Sequence, residues 1–196
     1  MDFIPNTAFE ARITNNSNDT LCNIAGKFQS GSPLADADCS AGFLCVKGDL
    51  LPCEGFPAGV YNENTYSMIA ATGAVLVSEP IYACNTYDNQ LLANGANNYF
   101  IGRKTLGLGV PAGRYGNFTR INFDGQSVYR FGAGNVTLNT STDKYLVVNN
   151  GVLSSQAAAP SVAGTPYFKI VGTGNFVEGN TDSFGYYDCL ACYVAG

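Results

Sequence analysis

Short runs of β-branched and aromatic residues, separated every few positions by Gly, Asn, Ser or Thr, make up most of this 196-residue chain. Such runs suit the pleated, half-buried surface of a β-strand. The longest stretch with a helical period of apolar residues is only marginal. The pattern of hydrophobic and polar positions therefore predicts an all-β protein.

Two hairpins are predicted from alternation and turn chemistry together. In the first, residues 116–123 and 126–131 flank Asp124-Gly125, a pair that suits the positive φ angles of a type I′ turn. In the second, residues 144–148 and 152–154 flank Asn149-Asn150-Gly151. Both hairpins favour antiparallel pairing of neighbouring strands.

Further strands are expected at short, regular spacing, which is typical of a sandwich or barrel. We expect a connecting loop at 156–164 and no fixed-period repeat. The predicted fold is an antiparallel sandwich or barrel, jelly-roll-like, with an extended, largely irregular N-terminal region. The additional strands are predicted near 65–70, 73–78, 80–87, 97–102, 134–139, 165–172 and 184–194.

The first 58 residues differ from the rest, which suggests an arm at 1–58 and an antiparallel β domain at 59–196. The arm holds four of the seven cysteines and only brief strand candidates at 8–14 and 42–46. Ordering such a segment costs roughly 1–2 kcal/mol per residue, so it must bury apolar groups against its own domain or a neighbouring subunit. The candidate interface residues are Phe3, Ile4, Phe9, Ile13, Phe28, Leu34, Phe43, Leu50 and Leu51.

The composition points to a covered surface. Hydrophobic residues make up 46% of the chain and charged residues 13%, about half the usual charged share of soluble domains. A chain with so few charged residues has little charge to place on a solvent-facing surface, so we expect part of that surface to be covered. An interface with another subunit is the simplest cover. Its ten basic residues are scattered singly, so we expect neither nucleic acid nor an anionic membrane as a partner.

No basic, apolar leader pattern opens the sequence, and there is no run of about 18 apolar residues. We therefore expect a protein made in the cytoplasm. The odd number of cysteines, seven, then favours free thiols, with disulfides formed after release from the cell as the alternative.

Catalysis is not expected, because the chain has no histidine. This excludes Ser-His-Asp and Cys-His nucleophiles and histidine-containing zinc sites. A glycosidase needs only two facing carboxylates, so the sequence leaves a glycan-degrading enzyme open as a lesser alternative. Carbohydrate binding through some of the twelve tyrosines is the stronger of the two.

Four local motifs suggest chemistry but are better explained by structure. Cys45 and Lys47 share a strand face, and Cys189-Leu-Ala-Cys192 lies in a predicted terminal strand without a second cysteine pair. The run 36–40 lacks the glycine and glutamate of a calcium loop, and 107–113 lacks the lysine of a phosphate loop. We therefore predict no catalytic residue, no cofactor and no metal.

The sequence also contains Lys27-Phe-Gln-Ser-Gly-Ser-Pro-Leu-Ala-Asp-Ala-Asp38, Gly42-Phe-Leu-Cys45, Gly59-Val-Tyr-Asn62, Ile81-Tyr-Ala-Cys-Asn85 and Leu106-Gly-Leu108 followed by Pro111-Ala-Gly-Arg114. Together these runs resemble small structural proteins of tailed bacteriophages, of the accessory capsid or head-decoration kind. The resemblance implies a protein made in the host cytoplasm that ends in the virion. Its partners would be the major capsid protein and copies of itself. The alternative is a tail or fibre module that binds a host surface or carbohydrate.

Overall fold

The computed structural model describes residues 3–12, 23–52, 61–73, 79–85, 109–178 and 182–196. Apart from a 3₁₀ turn at Ala133–Asn135, the regular structure in these ranges is β-strand, which confirms the all-β prediction. The strands are β1 (Phe9–Arg12), β2 (Asn23–Ser30), β3 (Ala35–Asp36), β4 (Leu44–Pro52), β5 (Tyr61–Ala70), β6 (Ile81–Cys84), β7 (Gly116–Arg120), β8 (Val128–Gly132), β9 (Val136–Thr137), β10 (Tyr145–Asn149), β11 (Val152–Gln156), β12 (Pro166–Glu178) and β13 (Asp182–Tyr193).

The strands form two sheets. One is an open sheet of seven strands in the order β1-β8-β13-β12-β10-β11-β9. In the other, β2-β5-β4-β6-β7 closes into a five-stranded barrel through pairing of β7 with β2, and β3 extends from β2. Most pairs are antiparallel, as expected, but β2 with β5 and β9 with β11 are parallel.

The second predicted hairpin is confirmed. Strands β10 and β11 pair from Tyr145 opposite Gln156 to Asn149 opposite Val152. The two residues between them, Asn150 and Gly151, have φ angles of 49° and 84°, as a type I′ turn requires. Gly151 has a second reason to be glycine, because a Cβ atom there would collide with the ring of Phe43 in the barrel.

The first predicted hairpin is wrong. Strand β7 belongs to the barrel, where it pairs with β6 and β2, whereas β8 pairs with β1 and β13 in the seven-stranded sheet. The side chain of Asp124 accepts hydrogen bonds from the backbone N–H groups of Gln126 (2.8 Å) and Ser127 (2.7 Å). The Asp-Gly pair therefore makes an Asx turn that passes the chain from one sheet to the other.

The region before residue 58 also differs from its prediction. Its described residues contain β1, β2, β3 and β4, so they are not largely irregular. Two of these strands have partners that are distant in sequence: β1 pairs with β8, and β2 pairs with β5 and β7 in addition to its neighbour β3. Such pairing leaves no local hairpin signal, which is why the sequence pattern missed it. The barrel takes strands from both sides of residue 58.

The remaining strand predictions are confirmed where the structure describes them, with shifted ends. The prediction at 134–139 shrinks to the two residues of β9, and β12 continues six residues beyond the expected end at 172. No strand or helix occupies 157–164, in agreement with the expected loop. Of the strands predicted at 73–78 and 97–102, Gly73 lies in a turn, and the other residues lie outside the described ranges.

Two apolar clusters lie next to each other. The sheet core packs between the seven-stranded sheet and the barrel and includes Phe131, Leu146 and Phe168. The barrel core fills the barrel and includes Phe28, Met68 and Phe118. Strand β6 contributes to both cores, because Ile81 and Ala83 face the sheet while Tyr82 and Cys84 face the barrel interior.

One buried side chain joins segments that are far apart in the sequence. Asn135, 1% exposed, accepts a hydrogen bond from the backbone N–H of Ala8 (3.0 Å) and donates one to the carbonyl of Ala41 (2.7 Å). The backbone packs so tightly here that a Cβ atom on Gly42 would meet the Asn135 amide nitrogen at 2.8 Å. Asn135 thereby holds the start of β1 against the loop that precedes β4.

Replacing Asn135 by Ala should destabilise the fold strongly. It leaves a buried N–H and a buried C=O without partners, each costing about 1–3 kcal/mol, so we expect a total loss of about 2–6 kcal/mol. Urea unfolding measures it. The matched change at exposed Asn117 on β7 should cost less than about 0.5 kcal/mol. Equal losses for the two variants would contradict the role given to Asn135.

Candidate interaction surface

Three of the nine candidate interface residues lie in the protein's own cores. Phe9 (3% exposed) packs in the sheet core, and Phe28 (2%) and Phe43 (8%) pack in the barrel core. The rings of Phe28 and Phe43 meet edge to face, with centroids 5.3 Å apart. A partner subunit cannot reach these side chains while the chain is folded.

Three further candidates are less deeply placed. Phe3, Ile4 and Leu51 are half-buried, and the backbone N–H of Ile4 donates a hydrogen bond to Ser40 Oγ (2.8 Å), which fixes the N-terminal segment on the barrel. Ile13 lies outside the described residues.

Among the candidates that the structure describes, Leu34 and Leu50 are the two exposed ones. Leu34, 48% exposed, lies in the turn between β2 and β3, and Leu50, 43% exposed, lies on β4 opposite Tyr66 of β5. Leu50 belongs to the barrel, and Leu34 lies in the β2–β3 turn that extends from it. We call them the barrel contact residues.

Among the described residues, the sequence prediction missed three other exposed apolar side chains: Val162 (65%), Val171 (53%) and Tyr193 (43%). Val171 lies at the register shift between Ile170 and Gly172 in β12, where the regular alternation of faces is interrupted. Only the neighbouring Gly172 and Gly174 hinted at such an irregularity in the sequence.

The outer face of the seven-stranded sheet, which turns away from the sheet core, carries a buried cation. Arg130 on β8 donates two hydrogen bonds to Asp188 on β13, from Nε at 2.8 Å and from Nη2 at 2.9 Å, and Glu10 on β1 lies 3.7 Å away. The three residues are direct cross-strand neighbours. The hydrogen bond to Asp188 raises the pKa of the Arg130 guanidinium.

Aromatic rings cover this ion pair. The guanidinium carbon of Arg130 lies 3.6 Å from the ring centroid of Tyr186, and Phe176 contacts the same ring at 5.0 Å. Gly174, opposite Tyr186, leaves the space that the Tyr186 ring fills, since a Cβ atom there would collide with it. The charged groups and rings of this cluster contact one another, and this favours a structural role over a catalytic one.

The cysteines of the described ranges are free thiols. Cys39, Cys45 and Cys84 lie together in the barrel core, and Cys189 lies in the sheet core. Burial raises the pKa of Cys39, Cys45 and Cys189, and contacts with the other two barrel thiols raise that of Cys39 further. These groups are protonated at neutral pH and act as small apolar residues.

The motifs that suggested chemistry have structural roles. Cys189 and Cys192 lie on β13, with Cys189 buried and Cys192 half-buried, so they do not form a dithiol pair. Asp36 forms an ion pair with Lys27 (3.1 Å), and Asp38 accepts a hydrogen bond from the backbone N–H of Ala112 (2.7 Å).

Within the described ranges, no three Cys, Asp or Glu side chains are grouped so that they could hold a metal ion. None of the helical structure described there is long and apolar enough to cross a membrane. Comparison with protein-family models, curated proteins and solved structures finds no significant match to this chain.

Removing one member of the Arg130 pair should cost more than removing both. Asp188→Leu leaves a largely buried guanidinium, 10% exposed, without its main partner, and we expect a loss of about 3 kcal/mol. The double variant Asp188→Leu with Arg130→Met should recover most of that loss in urea unfolding. In the more exposed Lys27–Asp36 pair, Asp36→Ala should cost less than about 1 kcal/mol. A double variant as unstable as the single one would contradict this interpretation.

Thiol labelling of the native protein should follow burial. With mass-spectrometric assignment of each site, half-buried Cys192 should react first among the five described cysteines. The four buried thiols should react only as fast as the chain unfolds. Rapid labelling of Cys39, Cys45 or Cys84 in the folded state would contradict the closed barrel core.

Proposed function

We propose that this chain is a virion structural protein that decorates or stabilises a bacteriophage capsid by binding the major capsid protein and neighbouring copies of itself. The sequence resemblance is one support for the proposal. The other is physical: a chain with 13% charged residues presents large apolar side chains to solvent on a firmly packed β fold. Such side chains are stabilised when another subunit covers them.

The observation that carries the proposal is the exposure of the barrel contact residues, Leu34 and Leu50. Leu50 projects from a barrel strand and Leu34 from the β2–β3 turn beside the barrel. Neither belongs to the cluster of side chains that fills the barrel interior. Covering them against a neighbouring subunit removes apolar surface from water at about 25 cal/mol per Å². Many copies around a shell would add the benefit of multivalent attachment.

We propose a mode of attachment other than the N-terminal arm that the sequence suggested. Strands β2 and β4 belong to the barrel, so truncating the first 58 residues would destroy the fold rather than release a tether. We infer that contact is made by the folded barrel surface. The test must therefore use point substitutions in the full chain.

The experiment measures binding of the purified chain to shells assembled from the major capsid protein of the virus that encodes it. The variant Leu34→Asp with Leu50→Asp should lose at least about tenfold in affinity, because two charges would have to be buried at the contact. The matched control is Val162→Asp, which charges an exposed apolar residue outside the barrel and should bind normally. Unfolding midpoints check that both variants fold.

Two results would contradict different parts of the proposal. Absence of the chain from purified particles by mass spectrometry would remove the virion role. Undiminished binding of the double variant would leave that role in place and exclude the barrel contact residues as the attachment surface.

A further inference from the structure

A shallow groove of about 560 Å³ runs along the seam between the barrel and the seven-stranded sheet. It lies where the chain crosses from β7 to β8, and Tyr193 at the end of β13 forms part of its wall. A smaller recess of about 20 Å³ adjoins the groove, and Glu79 and Pro166 are among the residues that line it. Because the groove is largely open to solvent, a ligand would lie along it rather than be enclosed by it.

The groove combines an aromatic ring with polar side chains. Tyr193 is 43% exposed, and its ring is steadied by Phe123, whose centroid lies 5.5 Å away. Arg120 and Asn122 also line the groove. The guanidinium of Arg120 is exposed and forms no ion pair with another residue of the described ranges. Its donors are therefore available to a ligand.

The floor of the groove is held rigidly by hydrogen bonds. The backbone N–H of Ile121 donates to the carbonyl of Ile81 (2.8 Å), and that of Asn122 donates to the hydroxyl of Tyr129 (2.8 Å). The N–H of Gly125 donates to the carbonyl of Ala191 (2.9 Å). A site that is already ordered loses little conformational freedom when a ligand binds.

We propose that this groove binds a neutral hexose unit of a glycan. One face of a pyranose ring presents C–H groups, which pack on the negative face of an aromatic ring such as Tyr193. The hydroxyls at its rim take hydrogen bonds from side chains such as Arg120 and Asn122. An apolar cofactor would need a deeper and more apolar pocket.

The local charges favour a neutral sugar over an acidic one. Arg120 and Glu79 carry opposite charges beside the same recess. Asp124 accepts three hydrogen bonds from Gln126 and Ser127, including one from Ser127 Oγ at 2.8 Å. Burial opposes ionisation of Asp124, but these hydrogen bonds outweigh it and hold its pKa below the ordinary value. Its carboxylate is thus engaged in the turn and adds negative charge at the groove. The proposal of glycan binding in this groove does not rest on the proposed capsid role.

The test is a glycan array carrying neutral hexose, N-acetylhexosamine and sialylated oligosaccharides, probed with the full chain. The strongest neutral glycan is then titrated in solution. We expect Tyr193→Ala and Arg120→Gln each to weaken binding by about tenfold, and Tyr193→Phe to retain it. The matched control, Tyr145→Ala, removes a half-buried tyrosine from the outer sheet face and should bind as the unaltered chain does.

Arg120→Gln keeps the test valid if Tyr193→Ala perturbs folding, because Arg120 is exposed. Absence of binding to every glycan on the array would overturn the proposal. So would binding that survives both Tyr193→Ala and Arg120→Gln, or binding restricted to the sialylated oligosaccharides.

Discussion

Strand β6 has no face turned to water, and the architecture depends on this. Ile81 and Ala83 pack against the seven-stranded sheet, while Tyr82 and Cys84 pack inside the barrel. Its neighbour β4 does the same where Leu44 faces the sheet and Cys45 the barrel. A strand buried on both faces must be apolar throughout rather than alternating. The two cores are thus separated only by the thickness of one sheet, and a change in either reaches the other.

Two polar contacts keep the barrel and the sheet in register around these shared strands. The Asn135 side chain forms hydrogen bonds with the backbone of Ala8 and of Ala41. The β10–β11 turn places Gly151 against the barrel. The backbone of Gly151 also accepts a hydrogen bond from the N–H of Leu44 (2.7 Å) and donates one to the carbonyl of Ala71 (2.9 Å). Directional bonds supplement hydrophobic burial, which has no direction of its own.

Structural features were predictable from the sequence where the interacting residues lie close together along the chain. The β10–β11 hairpin was predictable because Asn150 and Gly151 encode the turn locally. The hairpin expected at Asp124-Gly125 was wrong because the same two residues also suit an Asx turn, and distant strands decided the pairing. The candidate surface was only partly predictable for the same reason. Apolarity alone cannot tell exposed Leu34 from buried Phe28, since their burial depends on strands that pair far along the chain.

The position of β13 has a consequence for biosynthesis. This strand, Asp182–Tyr193, lies between β8 and β12 in the seven-stranded sheet, so β8 has no bridge to β12 until residues near 190 have been made. At about 5–20 residues per second, β1 and β8 would wait seconds after their own synthesis. During that interval Tyr129 and Phe131 on β8 lack the strand that pairs beside them, and the sheet core that they share with Phe9 is incomplete. Completion of the fold is therefore coupled to late translation, and the nascent chain is the state in which chaperones have the most to protect.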